Sequence, residues 1–99
     1  MLFLATYDIE DNRLRTKVAE KLLSFGLERV QYSVFVGPLD EQQKEKFLTW
    51  VAQLLGNDTP DTNFLLLPLP QYSTAEALHI GPNPPDWDYL SGQKLTLFF

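Results

Sequence analysis

The first strand-length segment of the chain lacks a polar face, and this constrains the fold more than any other feature. Leu2–Tyr7 is a short, nearly continuous apolar run without the alternation of a half-exposed strand. Such a run is typical of a strand that is covered on both sides of its sheet. The chain therefore needs a layered fold with this strand on the inside.

The segment after this run has the spacing of an amphipathic helix. Asp11 or Asn12 can cap it, and Gly26 stands where a left-handed C-terminal stop belongs. Over residues 13–25 the apolar side chains fall at four-residue intervals and form one buried face. These side chains are Leu14, Val18 and Leu22. A first helix is therefore predicted directly after the first strand.

A second helix is predicted by the same kind of evidence. Asp40 is its N-cap, and Gln43, three residues later, completes a capping box. Gly56 ends the helix. Its buried stripe comprises Phe47, Leu48, Val51, Leu54 and Leu55.

Residues 27–39 predict β structure, because they are rich in valine, tyrosine and phenylalanine. Side chains alternate along the whole segment, so periodicity alone suggests one long strand that ends at Gly37-Pro38. A pair of strands would need a turn near the middle, and no Asn-Gly or similar hairpin signal is present. Both arrangements stay open at this point.

The order of elements indicates an α+β sandwich with two helices on one face of an antiparallel sheet. Beyond a polar loop, Phe64–Leu67 is predicted as a short buried strand that Pro68 stops. Lys94–Phe99 has strand composition and needs a neighbouring strand, since an apolar edge invites aggregation. The commonest solution is a ferredoxin-like β-α-β-β-α-β domain over residues 1–70, followed by a proline-rich tail over 71–99.

Composition excludes several kinds of site. The chain has no cysteine and one histidine, His79, which rules out a disulfide scaffold, a thiolate zinc centre and a histidine-rich metal site. No stretch reaches the roughly 20 apolar residues that span a bilayer. The first residues also lack a basic leader, so a cytoplasmic protein with no membrane partner is predicted.

The formal net charge is −5, which by itself argues against a nucleic-acid binder. The excess of acid is confined to one part of the chain. Residues 1–30 hold five basic and five acidic side chains, whereas residues 31–99 hold three and eight. A basic face near the N-terminus is therefore compatible with the acidic average.

Basic side chains lie along the predicted first helix. Arg13, Lys17 and Lys21 recur at four-residue intervals, and Arg15 lies off this line. Such a row suits contacts to phosphates, but it also suits a solvated helix face. Arg29 either belongs to the same surface or pairs with a nearby acid, Glu28 or Glu20.

Asp8 is a candidate for metal chemistry because it closes the first strand. A carboxylate at a strand end can ligate a hard cation such as Mg²⁺, which takes one or two carboxylates and keeps several waters. The alternative is that Asp8 only bonds backbone amides of the turn. Glu10 and Asp11 are near enough to join a metal shell, or else they shape the turn and cap the helix.

Aromatic residues offer a second kind of candidate. Tyr32 and Phe35 either stack on nucleobases or belong to the core, where strand aromatics commonly lie. The same two alternatives, base stacking or a place in the core, apply to Trp50 and Trp87. His79 has no second histidine, so a role as a metal ligand is not predicted for it.

The apolar first strand ends in Tyr7-Asp8-Ile9 and is followed by a basic helix. After this helix, Gly26-Leu27 leads to Val30-Gln31-Tyr32-Ser33-Val34-Phe35. In these features the chain resembles the CRISPR-associated protein two family, the smaller of the two proteins shared across CRISPR adaptation systems. The resemblance is specific over residues 2–39, extends to Pro70 and thins beyond Tyr72.

The resemblance implies a ferredoxin-like fold in which residues 27–39 form a tight strand pair bent near Tyr32-Ser33. It also implies a two-fold homodimer, in which one face of the first strand carries the helices and the other makes the dimer contact. In many members an extra C-terminal strand crosses to the partner's sheet. Lys94–Phe99 would be that strand, and the tail over 71–99 would be exchanged or packed across the dimer.

The function implied is that of a metal-dependent endonuclease acting on single-stranded RNA or double-stranded DNA. Members also form the central dimer that bridges two integrase dimers during spacer insertion, so nucleic acid and an integrase subunit are the implied partners. Asp8 matches the catalytic metal aspartate, with one Mg²⁺ shared at the dimer axis.

Other site residues follow from the same resemblance. Arg15, Lys17 and Arg29 match basic residues that approach backbone phosphates, and Arg13 lies on the same helix. The family often has arginine where this chain has Lys17, so the bidentate phosphate contact of a guanidinium is missing there. Phe35 matches an aromatic residue linked to activity.

Two other functions stay open. A catalytically silent scaffold for the integrase would support spacer acquisition after Asp8→Ala, whereas a nuclease would lose cleavage. A ferredoxin-like regulatory module that binds a small ligand is the third hypothesis, because this fold hosts many functions. Duplex DNA binding that weakens steeply with salt would count against that module.

Overall fold

The computed structural model describes residues 1–56 and 61–90. Its elements are β1 (Leu2–Asp8), α1 (Asn12–Ser24), β2 (Glu28–Gln31), β3 (Val34–Pro38), α2 (Glu41–Leu55), β4 (Asn63–Leu69), α3 (Gln71–Ala75) and α4 (Trp87–Leu90). The predicted C-terminal strand over 94–99 lies outside the described residues, as do the end of the tail and part of the loop before β4.

The four strands form one antiparallel sheet in the order β2-β3-β1-β4. β1 lies between β3 and β4, as its apolar composition predicts. Side chains of one sheet face pack with those of α1 and α2 in a single core, to which Phe3, Val18 and Phe47 belong. The predicted α+β, ferredoxin-like β-α-β-β-α-β fold is confirmed.

Local signals account for the ends of both helices. The carboxylate of Asp11 accepts hydrogen bonds from the backbone of Arg13 and Leu14, so Asp11 is the N-cap of α1. Gly26 has a φ of 92° and follows the helix in a Schellman-type end. Asp40 and Gln43 form the predicted capping box of α2.

The segment after α1 forms two strands, so the single long strand suggested by periodicity is wrong and the hairpin is correct. Tyr32 and Ser33 make the turn, and neither has the positive φ that two-residue hairpins commonly use. A register shift between Arg29 and Gln31 accommodates the turn instead. Because no glycine or asparagine marks this turn, the sequence pattern alone could not locate it.

β4 is longer and more exposed than predicted. It begins at Asn63 and passes through Pro68, which an edge strand tolerates because its outer N–H positions need no partner. Leu65 is 50% exposed and Leu67 is 43% exposed, so the prediction of a buried strand is wrong for one face. Leu48 of α2, predicted to be buried, is also exposed.

The sheet face away from α1 and α2 is called the open face below. It carries Leu4, Thr6 and Asp8 of β1, with Leu67, Leu65 and Asn63 of β4 directly opposite them. Part of this face is covered by the tail, because Leu90 of α4 packs with Leu2 and Val36 in a second buried cluster. Among the helices that the structure describes, none has the length and apolar character required to cross a bilayer.

Candidate functional site

One end of the sheet brings several candidate residues together. β1 ends there at Asp8, and the backbone N–H of Tyr7 donates to the carbonyl of Ser33 at 3.3 Å, which joins the β2–β3 turn to the same end. β4 begins there, with Asn63 opposite Asp8. The loop from Ile9 to the start of α1 leaves from this point. These residues define the candidate site.

Asp8 is exposed and lies on the open face. Its carboxylate makes no hydrogen bond or ion pair with any described residue. Asp11, by contrast, accepts from two backbone amides of α1 at 2.8 and 3.1 Å. The capping role therefore belongs to Asp11, and the Asp8 carboxylate is available for a ligand.

The oxygen donors at this end suit a hard cation. Asp8 supplies a carboxylate, and directly opposite residues of an antiparallel pair lie roughly 4.5–5.5 Å apart at Cβ, which brings the amide of Asn63 close. Within residues 1–56 and 61–90 there is no group of three or more acidic, histidine or cysteine side chains placed to hold a metal. At this end of the sheet Asp8 thus offers a free carboxylate for a cation that retains most of its waters.

Arg15 makes hydrogen bonds to the loop that follows Asp8. Its guanidinium donates to the carbonyl of Ile9 at 2.9 Å and to that of Glu10 at 3.4 Å, and it also bonds the side-chain oxygen of Asn12. A planar guanidinium can hold several acceptors at once, which a lysine cannot do in the same geometry. Arg15 therefore fixes the path of the chain directly after Asp8.

The basic row of α1 divides into two parts. Arg13 and Lys17 are exposed and line a shallow hollow of about 370 Å³ on the helix surface. Lys21 instead lies over the rings of Phe25 and Trp50, at 5.8 and 5.1 Å from their centroids. Lys21 thus links the end of α1 to α2, while Arg13 and Lys17 remain open to a ligand.

Arg29 and Phe35 lie together on the helix side of the sheet. The guanidinium carbon of Arg29 is 4.9 Å from the ring centroid of Phe35, and Nη2 donates to the hydroxyl of Tyr7 at 3.5 Å. No ion pair joins Arg29 to Glu28 or Glu20 in the structure described. Phe35 is fully buried, so any effect of this ring on a ligand acts through a neighbour such as Arg29.

Sequence reasoning missed Asn63 and Tyr7 as parts of the site. The sequence pattern places Asn63 in the polar loop before the predicted strand at Phe64, and it places Tyr7 inside the first strand. Their relevance comes from cross-strand register and from a contact between residues 22 positions apart. A single sequence carries no signal for either relation.

Comparison with known proteins points to one family. The family model described as CRISPR associated protein Cas2 matches residues 1–76. A protein of Archaeoglobus fulgidus named CRISPR-associated endoribonuclease Cas2 1 is 39% identical over 80 residues, which cover 81% of this chain and 83% of that protein.

Two further relatives bear on fold and partners. The crystal structure of Streptococcus pyogenes Cas2 aligns with a TM-score of 0.70 over 82% of this chain and 100% of that one, at 21% identity, and so supports the fold. A protein of Thermoproteus tenax is named a CRISPR-associated endonuclease Cas1/endonuclease Cas2 fusion. It is 29% identical to this chain over 85 residues, which cover 86% of this chain and 31% of the fusion protein.

Proposed function

Because this chain belongs to the CRISPR associated protein Cas2 family, we propose that it is a metal-dependent endonuclease of CRISPR adaptation. The observation that carries the proposal is Asp8, an exposed carboxylate at the end of a central strand, without a partner among residues 1–56 and 61–90. The proposed substrates are single-stranded RNA or double-stranded DNA, and the proposed place of action is the cytoplasm. Relatives named endoribonucleases support the reaction class.

Each residue of the site has a different proposed role. Asp8, assisted by the amide of Asn63, would hold a Mg²⁺ ion, which when bound lowers the pKa of a water and neutralises charge on a phosphodiester. Arg15 keeps the loop after Asp8 in place through the carbonyls of Ile9 and Glu10. Arg13 and Lys17 are free to contact backbone phosphates, each contact adding to a salt-dependent affinity.

A two-fold homodimer would complete this site. One chain contributes one copy of Asp8, whereas a symmetric pair joined through the open face would offer two copies to one ion. Leu65 and Leu67 support this face as the contact, since they are exposed apolar side chains on the same side of the sheet as Asp8. In this arrangement the tail over 71–99 would be exchanged or packed across the dimer.

A second candidate function is a scaffold for an integrase subunit. The Thermoproteus tenax relative, named as a fusion of endonuclease Cas1 and endonuclease Cas2, supports a Cas1 protein as this partner. Within residues 1–56 and 61–90 no cluster of three or more acidic, histidine or cysteine side chains surrounds Asp8, and this favours the scaffold as well, because Asp8 alone holds a cation weakly. Under this hypothesis the dimer acts as a spacer between integrase subunits and its metal chemistry is dispensable.

Replacing Asp8 by asparagine separates the two functions. For a nuclease, Asp8→Asn should lower Mg²⁺-dependent cleavage of labelled RNA or duplex DNA by about 100-fold or more, because a neutral amide holds the cation weakly. Glu45→Gln is the matched control, since Glu45 is an exposed acid on α2 outside the candidate site. Cleavage that persists in Asp8→Asn, or that is equally lost in Glu45→Gln, contradicts the assignment of Asp8.

Spacer acquisition in cells tests the scaffold. The scaffold requires Asp8→Asn to acquire spacers at the wild-type rate, with the dimer intact in light scattering. A small-ligand regulatory module would instead fail to bind nucleic acid at low salt. Binding of duplex DNA with a steep fall in affinity between low and physiological salt argues against that module.

A further inference from the structure

A continuous stack of planar groups runs from the core to the surface beside the candidate site. Tyr7 and Phe35 stack with centroids 6.2 Å apart and an interplanar angle of 25°. The guanidinium of Arg29 follows at 4.9 Å from the Phe35 centroid, and the ring of Tyr32 lies 5.5 Å beyond it. These four residues are called the ladder below.

The ladder begins in the core and ends in solvent. Phe35 is fully buried and Tyr7 is 5% exposed, whereas Tyr32 is 68% exposed. Arg29 covers part of the Tyr32 ring and is itself held by the hydroxyl of Tyr7 at 3.5 Å. An exposed tyrosine on a tight turn thus has a fixed backing, which reduces the entropy lost when a planar ligand stacks on it.

The position of Tyr32 relates the end of the ladder to Asp8. The turn that carries Tyr32 is bonded through Ser33 to the backbone of Tyr7, the residue before Asp8. Arg29 also lines a hollow of about 580 Å³ between β2 and Pro82–Pro85. A strand that reaches Asp8 can therefore meet Tyr32 at the same end of the sheet.

We propose that Tyr32 is a stacking platform for an unpaired nucleobase, with Arg29 as its cationic backing. This rests on the proposed function and adds the residue that distinguishes single-stranded from duplex substrate. A base in a duplex is already stacked on its neighbours, whereas an unpaired base gains a partner by stacking on an aromatic ring. The gain tolerates any sequence, because every base has a π-face.

The surroundings of Tyr32 favour a base over a protein partner. Its neighbours in the turn, Gln31 and Ser33, are polar, so the turn presents Tyr32 as a lone exposed aromatic side chain. The exposed leucines of the open face, Leu65 and Leu67, belong to β4, at the opposite edge of the sheet from β2. A single aromatic face beside a cation is the pattern of single-strand binding surfaces.

Binding measured in EDTA isolates this contact from cleavage. Fluorescence anisotropy with labelled RNA and DNA single strands of about 12 nucleotides, and with a blunt duplex, gives three affinities for each variant. Tyr32→Leu should weaken both single strands about tenfold and the duplex less than twofold. Tyr32→Phe should bind like the wild type, since it keeps the ring. Tyr72→Leu is the matched control, because Tyr72 is 69% exposed on α3.

The outcomes separate this inference from the proposed function. Unchanged single-strand affinity in Tyr32→Leu, or an equal loss for single strands and duplex, overturns the stacking platform. Either result leaves the cleavage test on Asp8 unaffected. A selective loss of single-strand affinity supports the platform, and it does so even if Asp8→Asn leaves cleavage unchanged. A loss for RNA but not for DNA would overturn the sequence-tolerant stacking and point to recognition of the sugar.

Discussion

The two faces of the sheet are built by the same strands, and they differ in how completely this chain covers them. Phe3, Ala5 and Tyr7 of β1 point to the helix side and are at most 6% exposed. Their neighbours Leu4 and Thr6 point to the open face and are half-buried, beside the exposed Leu65 and Leu67. The helix side is thus a fully buried core, whereas the open face exposes apolar side chains near Asp8.

This difference separates the face that stabilises the monomer from the face that carries the candidate functional residue Asp8. α1 and α2 bury the helix side within the chain, so that side stabilises the monomer. On the open face α4 covers only the end near Leu2 and Val36. The remaining part is the surface that a second copy would bury, and it is also the surface that carries the free carboxylate.

The largest effect is expected from a substitution in the core on the helix side of the sheet. Phe47 is fully buried and its ring contacts those of Phe25, Trp50 and Phe64 at centroid distances of 5.9, 6.0 and 5.3 Å. Phe47→Ala should lower the free energy of unfolding by about 3–5 kcal/mol, through lost contacts and the cavity left behind. Urea denaturation followed by circular dichroism measures this loss.

Leu65→Ala on the open face is the comparison for that experiment. Half of this side chain is already exposed, so its loss should cost less than about 1 kcal/mol when measured on the monomer. Equal losses for Phe47→Ala and Leu65→Ala would mean that the two faces do not differ in the way their burial indicates.

An intermediate effect tests the open face as the dimer contact. Leu65→Asp should raise the dissociation constant of the homodimer about 100-fold, roughly 2.7 kcal/mol, because it buries a charge in an apolar contact. Leu23→Asp is the matched control, since Leu23 is 51% exposed on α1 against 50% for Leu65. Sedimentation velocity over a concentration series measures both. A dimer lost in Leu23→Asp but not in Leu65→Asp would assign the contact to the helix side.

The smallest effects come from changing one methyl-sized group on each face: Gly37→Ala adds a methyl group, and Thr6→Val replaces a hydroxyl by one. At Gly37, a Cβ would lie 2.8 Å from the Cα of Leu27, so Gly37→Ala should cost about 1–2 kcal/mol of unfolding free energy. Thr6→Val on the half-buried open face should change it by less than about 0.5 kcal/mol. Thermal and urea unfolding measure both variants. A larger loss at Thr6 than at Gly37 would reverse the comparison.

Much of the fold followed from local chemistry in the sequence. The caps Asp11 and Asp40 and the stop at Gly26 depend on backbone groups within a few residues, so their patterns predict them well. The β2–β3 turn lacked such a marker, and only the resemblance to a family located it. The extent of β4 was also underestimated, because pairing with β1 carries the strand through Pro68.

The candidate site was predictable in its members but not in their arrangement. Asp8 stood out because a buried strand ends there. The contacts of Arg15 with Ile9 and Glu10 have no counterpart in the sequence pattern. Nor did periodicity indicate that Phe35 is buried while Tyr32, three residues earlier, is exposed.

The amino-acid sequence by itself determined the first strand, the acid at its end, and the two long helices with their caps, because these depend on neighbours a few residues away. The tertiary structure alone decided which side of the sheet is covered, which cations stay free, and how Arg29 comes to lie between Phe35 and Tyr32. Burial and stacking depend on residues that are distant in the chain, and their positions are set only when the strands pair and the helices pack.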